Sequence, residues 1–360
     1  MKKERMYGLD ILRILSMLGI IGLHIMNKGK WGACADSAPE VLILRILSTV
    51  CYCSVNVFAM LSGFLYAERR TVRSSNLIRL LFSVAFYSVV ILAVFLLGLP
   101  QTFARAGHLH LQAIFPPLSS TYWYITCYVP LFLMIPYINA LIHTLTEIRF
   151  RRMLLILFLL LSVMTTFGMK DYFKLDHGYS LLWLVFCYLL GAYLRLHRMD
   201  QPNAEVGKWL GLLLLDILLT VGSWYLLGND IVWGKLRIVD YVSPFMVIEA
   251  ALLLLIFSRL TIRRVPLRKI ILSLSDASFG VYLIHAHILV FDLLLLNTFL
   301  WTKGYGASVY FAAMIGGMLG IYLICWAIDV VRGILFKWLR IDELAELIGG
   351  KVDTFLHWSS

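Results

Sequence analysis

Charged side chains are scarce in this sequence: Asp, Glu, Lys and Arg make up 15% of it, against about 25% in soluble domains. With 61% hydrophobic residues and a mean hydropathy of +0.83, that scarcity excludes an ordinary soluble fold and leaves a polytopic membrane protein. Cysteine is sparse too. Cys34, Cys51, Cys53, Cys127, Cys187 and Cys325 lie mostly inside apolar runs without metal-type spacing, which argues against a disulfide framework and a zinc site. Cys51 and Cys53 turn their thiols to diverging helix faces and read as packing residues. No small-residue cleavage site follows the first apolar run, so no cleaved leader is expected. Strict apolar–polar alternation is missing, which excludes a membrane β-barrel, and no fixed-period repeat appears. The net charge of +11 does not mark a nucleic-acid binder, because the basic residues sit at the ends of apolar runs and form no soluble cluster.

What is present is a series of ten apolar runs, at about 7–27, 41–66, 77–99, 121–146, 152–169, 179–196, 208–228, 238–258, 276–300 and 307–335. Each reaches or approaches the ~20 residues that cross a bilayer. The expected fold is therefore all-α: a polytopic membrane helix bundle of about ten transmembrane helices. Lys and Arg concentrate in alternate loops. Arg69, Arg70, Arg73 and Arg79 mark one such segment, Arg149, Arg151 and Arg152 another, and Arg259, Arg263, Arg264, Arg268 and Lys269 a third. The opposite loops hold only Lys28, Lys30, Arg105, Lys170, Lys174, Lys235, Arg237 and Lys303. The positive-inside rule then puts both termini in the cytoplasm. We expect one transmembrane domain over 1–340, with no soluble domain between the runs and a short cytoplasmic tail over 341–360 lying on the surface or frayed.

The first run carries Asp10, Arg13 and His24. At ~100° per residue, His24 returns to within roughly 20° of Arg13 and about 40° of Asp10, so one helix face bears all three. Arg13 and His24 are ~16 Å apart along the axis, the first toward the cytoplasmic side and the second toward the outer side. Ionisable groups in a spanning helix are costly and normally line a protein or water interior. Two readings stand beside each other: a functional stripe, or an Asp10–Arg13 pair that neutralises itself at i,i+3 and a hydrogen-bonded packing histidine.

Several stretches together resemble the acyltransferase family 3 integral membrane proteins, which include O-acetyltransferases of bacterial surface glycans. Arg13, ten intervening residues and His24 lie inside GLDILRILSMLGIIGLH. The second run ends in NVFAMLSGFLYAERR, with Ser62, Gly63 and Phe64, followed by Arg70-x-x-Arg73. YWYITCYVPLFLMIPYIN is similar to the family's aromatic entry into a mid-chain helix, with Tyr122, Trp123 and Tyr124. LSDASFGVYLIHAHILV resembles its late block, with Ser278, Tyr282 and His285. These matches are in order and span nearly the whole chain.

The resemblance implies transfer of an acyl group, usually acetyl from acetyl-CoA as co-substrate, to a hydroxyl of an envelope glycan or lipid-linked sugar. The setting it implies is the bacterial cytoplasmic membrane, without a metal. In that reading His24 is the general base and Arg13, oriented by Asp10, lines the pantetheine path or steadies charge on the thioester oxygen. A histidine suits the base role, since its unperturbed pKa of about 6.5 lies near neutrality. Arg70 and Arg73, with Ser62, would take the donor, whose phosphates suit guanidinium forks; plain topology charge explains those arginines equally. Trp123, Tyr124, Tyr282, His285 and Glu249 would line the acceptor site. Trp123 and Tyr124 also suit an interfacial aromatic belt. Ser16 is about 80° from His24 and no cysteine lies beside it, so direct transfer is expected and an acyl-enzyme is not.

Other polar residues in the runs are Arg45, Asn56, Asp216, Asp276, His287 and Asp292. Glu249 is a partner for Arg45 or Arg13 as readily as an acceptor contact. His108-x-His110 reads as a solvated loop. The competing function is a transporter-like domain for a small polar solute, which buried charges along a path would serve equally. The oligomeric state is open.

Overall fold

The computed structural model describes residues 5–101, 122–168, 170–199, 205–227, 238–356 and 358. The loop histidines 108 and 110, like Lys2, Lys3, Arg105, Lys235 and Arg237, lie outside them. Among the described residues the regular structure is helical throughout, with no strand. The helices are α1 (Tyr7–Asn27), α2 (Ala38–Tyr52), α3 (Ser54–Tyr66), α4 (Ser74–Gly98), α5 (Trp123–Thr144), α6 (Glu147–Phe167), α7 (Leu181–His197), α8 (Glu205–Leu227), α9 (Pro244–Ser258), α10 (Val265–His285), α11 (Ala307–Trp338) and α12 (Ile341–Phe355). Seven are long and apolar enough to cross a membrane when α2 and α3 count as one; α7 and α9 are shorter apolar helices. The chain is a multi-pass membrane protein.

Two features depart from the hydropathy runs. The second run is broken at Cys53, where α2 ends and α3 begins. The ninth run is not one span. Its helix starts earlier, at Val265, with Pro266 in the first turn, and stops at His285. A π-helical stretch follows over Val290–Leu294. Hydropathy misplaced this helix because its first turns are polar: Pro266 suits the first turn, and the basic residues Arg268 and Lys269 are helical.

The chain folds into two compact units. The first comprises Met1–Leu23, Asp36–Glu68 and Tyr137–Ser275, and the second His24–Ala35, Arg69–Pro136 and Asp276–Ser360. In the first, α3 packs closely on α7. A Cβ on Gly63 would sit 1.9 Å from the Tyr188 carbonyl oxygen, and one on Gly191 would sit 2.0 Å from that of Met60. The two glycines thus let the backbones touch, the small-residue solution for helix packing in lipid. Polar cross-links finish the contact. Asn56 donates to the Tyr241 carbonyl at 2.8 Å and accepts from Trp183 Nε1 at 2.9 Å, while Tyr188 donates to Asn139 at 2.8 Å. A capping box formed by Ser37 and Glu40 starts α2.

In the second unit, α12 lies along α4. Ser74 N–H donates to Asp353 at 3.0 Å, Arg79 pairs with Asp342 at 2.9 Å and also with Glu346, and Gly349 rests on Ser75. Residues 341–355 therefore form a docked helix. Further in, Arg332 grips Asp329 with two bonds of 2.7 and 3.1 Å, and Tyr87 donates to the same carboxylate at 2.8 Å. Gly280 admits that carboxylate to the surface of α10, since a Cβ there would lie 1.8 Å from Asp329 Oδ1.

Candidate active site

Each unit holds one cluster built on α1. In the first unit, Asp10 is 4% exposed and accepts twice from Arg5, at 2.9 Å each. Ser275 of α10 donates to Asp10 Oδ1 at 2.9 Å and accepts from Arg13 Nη1 at 3.1 Å. Arg13 itself is 3.5 Å from Asp10 Oδ1. Asp10 does orient Arg13, as its spacing suggests, but largely through Ser275. Its closest cation is Arg5, which the hydropathy pattern places outside the helix. An Asp with two cations and a hydroxyl has every acceptor direction used, which makes it a fixed support for the Arg13 charge.

The second unit holds His24. Its ring centroid is 5.0 Å from that of His285 and 4.8 Å from that of Phe291, the latter edge-on. The imidazole therefore faces protein and not lipid tails. His285 is 3% exposed and its Nδ1 lies 2.6 Å from the Val281 carbonyl, one turn back in α10. Tyr282 meets His285 at 6.3 Å between centroids and Tyr122 at 5.6 Å, and the Tyr122 hydroxyl donates to the Leu283 carbonyl. Tyr122 in turn lies 6.2 Å from the ring of His287, which is fully buried.

The end of α10 and the irregular stretch after it bring these rings together. Asn297 N–H bonds to the Lys28 carbonyl and Phe299 N–H to the Gly29 carbonyl, both at 3.0 Å, which straps that stretch onto the end of α1. Lys28 pairs with Asp292 and stands 5.4 Å above Phe291. The last turn of α1 and the residue after it thus set His24 and Lys28 against the same phenylalanine.

The other sequence-predicted residues fall elsewhere. Trp123 and Tyr124 pack on each other at 5.6 Å, and Tyr124 stacks on Tyr128 at 6.0 Å, forming an aromatic ladder along the start of α5. Ser62 spends its hydroxyl on the Phe58 carbonyl at 3.3 Å. Arg70 and Arg73 are exposed in the segment joining α3 to α4, and neither side chain has an ion-pair or hydrogen-bond partner among the described residues.

Glu249 needs a correction. Its neighbours in the first unit are Asp216 and the Cys53 thiol, and not Arg45 or Arg13. Arg45 instead lays its guanidinium 3.7 Å over Tyr225, and Arg13 is taken up by Ser275 and Asp10. The aromatic face attracts the Arg45 guanidinium, although its Nη1 is buried without a hydrogen-bond partner among the described residues.

Sequence reasoning missed Phe291, Arg5 and Ser275. Nothing in their local pattern distinguishes them, because each matters only through a contact made far along the chain.

Among known proteins, the family model described as an acyltransferase domain, that of acyltransferase family 3, matches residues 6–330. No curated protein and no solved structure matches the chain.

Proposed function

From the premise that this chain belongs to acyltransferase family 3, we propose that it moves an acetyl or other short acyl group from cytoplasmic acyl-CoA to a hydroxyl of an envelope glycan or glycolipid. The observation that carries the reading is the imidazole of His24, held among His285 and Phe291 inside a membrane protein, with Nδ1 buried and unpartnered. Burying an uncompensated polar nitrogen costs free energy, so such a group calls for an explanation, and a catalytic role is one that fits an imidazole at this place.

In the proposed reaction His24 accepts the proton of the acceptor hydroxyl as its oxygen attacks the thioester carbonyl. A C–O bond forms and the C–S bond breaks. The proton held by His24 then goes to the leaving thiolate, so the step balances without any redox change. Arg13, backed by Asp10 and Ser275, presents fixed positive charge suited to the pantetheine path of the donor. The bacterial cytoplasmic membrane is the setting the family resemblance implies, and the orientation with both termini inside rests on the distribution of Lys and Arg. Trp123, Tyr124 and Tyr282 offer faces on which a sugar ring stacks, and His285 borders the same imidazole.

Two experiments test this. Mass spectrometry of envelope glycans from cells with and without the protein should find a group of ~42 Da added only in its presence, which is acetyl replacing a hydroxyl hydrogen. An unchanged glycan profile, with purified protein that neither binds nor hydrolyses acetyl-CoA, would refute the reading. For the donor, Arg70→Ala with Arg73→Ala should weaken acetyl-CoA affinity by about tenfold or more, as two charge-assisted phosphate contacts are lost. Unchanged affinity in that double variant returns both arginines to topology alone.

A further inference from the structure

In the second unit, Nδ1 of His24 and Nε2 of His285 are buried without a hydrogen-bond partner among the described residues. They belong to neighbouring imidazoles, 5.0 Å between centroids and tilted by 46°. The state of the His285 nitrogens follows from chemistry. A carbonyl oxygen only accepts, so the 2.6 Å contact with the Val281 carbonyl requires a hydrogen on His285 Nδ1. In a neutral ring that leaves Nε2 with a lone pair and no hydrogen. His285 is 3% exposed and its Nε2 is buried, so this lone pair does not face bulk solvent.

Resting on the reading of His24 as the base, we propose that His285 is its positioning residue: Nε2 of His285 accepts from Nδ1–H of His24. That bond holds His24 in the tautomer whose Nε2 carries the lone pair turned to the acceptor. The Val281 carbonyl fixes His285, and His285 fixes His24. A base oriented by a third group is the general logic of activated hydroxyl chemistry, here with a neutral imidazole where a carboxylate often stands. At 5.0 Å between centroids, a modest ring rotation of His24 closes the N–H···N contact. A neutral partner also suits the site, because a second fixed negative charge in this apolar setting would need its own counter-ion. The titratable groups around the pair are Lys28 just after α1, Tyr122 before α5, Tyr282 on α10, and His287 and Asp292 after it. Lys28 and Asp292 neutralise one another.

The test compares wild type, His285→Leu and His285→Gln in single-turnover acetyl transfer at saturating acetyl-CoA. His285→Leu should lower the rate on the order of 10²–10³-fold, within the usual range for an oriented acid–base group, with the KM for acetyl-CoA unchanged. His285→Gln keeps an acceptor oxygen near the Nε2 position and should recover at least part of that loss. ¹⁵N-histidine NMR should show His24 as the Nδ1–H tautomer in wild type and a mixture in His285→Leu. A leucine variant within threefold of wild type, or a glutamine variant that falls as far as leucine, overturns the proposal. Where both variants fail to fold, the wild-type spectrum decides: an Nε2–H tautomer for His285 removes the acceptor and ends the idea. Failure of the parent reading looks different. There the wild type itself transfers nothing, and this inference falls with it.

Discussion

Replacing His24 with alanine is expected to reduce acyl transfer on the order of 10²–10⁴-fold while acetyl-CoA binding survives. The ring contributes to the second unit through an edge-on contact with Phe291 and a tilted one with His285, and its side chain makes no hydrogen bond among the described residues. Its loss therefore leaves few structural bonds broken. The neighbouring Lys28–Asp292 pair and the strap from Asn297 and Phe299 to the end of α1 remain in place to hold that turn. A kcat that collapses with unchanged affinity for acetyl-CoA separates loss of a base from loss of a binding group. His24→Ala at wild-type rate would remove the imidazole from the chemistry altogether. Isothermal titration with acetyl-CoA alongside the transfer assay makes the distinction in one preparation.

The second large effect concerns stability. Asp329→Ala should destabilise the second unit by about 3–5 kcal/mol, the range for removing one member of a buried ion pair. The carboxylate is 4% exposed and serves three donors: Nε and Nη2 of Arg332 and the Tyr87 hydroxyl. Alanine strands the guanidinium beside an apolar wall and leaves a buried phenol unpaired as well. The cost arises from what remains, so removing the charge too should reverse much of it. Asp329→Leu combined with Arg332→Leu is expected to regain a large part of the lost thermal stability, the usual result when a buried pair is replaced by apolar side chains. Space matters here, because Gly280 gives the carboxylate its room against α10 and a leucine must fit the same gap. Thermal unfolding of the detergent-purified variants reads both effects. A single variant melting within a degree or two of wild type would show that this cluster does not hold α4 and α11 to their unit.

The sequence was legible unevenly, for physical reasons that differ by residue. Asp10 and Arg13 share a helix turn, so their pairing follows from spacing, yet Ser275 and Arg5 complete the cluster. Ser275 lies 262 residues from Arg13. Tyr122 and Trp123 are adjacent and read alike, but only Tyr122 turns toward the imidazole cluster; Trp123 joins the ladder on α5. A one-residue step changes the facing by ~100°, and the start of a helix is the hardest position to locate from pattern. Glu249 has the same difficulty in depth. A mid-helix acid must face inward, which its 1% exposure bears out, but which inward neighbour it meets depends on how α8, α9 and the break at Cys53 come together.

Composition and the order of apolar runs by themselves determined that this chain is a helical, multi-pass membrane protein. The free energy of moving an apolar segment into lipid depends on its own residues and on little else. The stripe on α1 was equally local, being a matter of helical period. Only the tertiary structure decided that His24 meets His285 and Phe291, that Arg332 closes on Asp329 beneath Gly280, and that Glu249 meets another acid and a thiol. Within lipid, helices gain no hydrophobic preference for one partner over another. The choice falls to close backbone contacts and to hydrogen bonds between residues far apart in the chain, which no local pattern encodes.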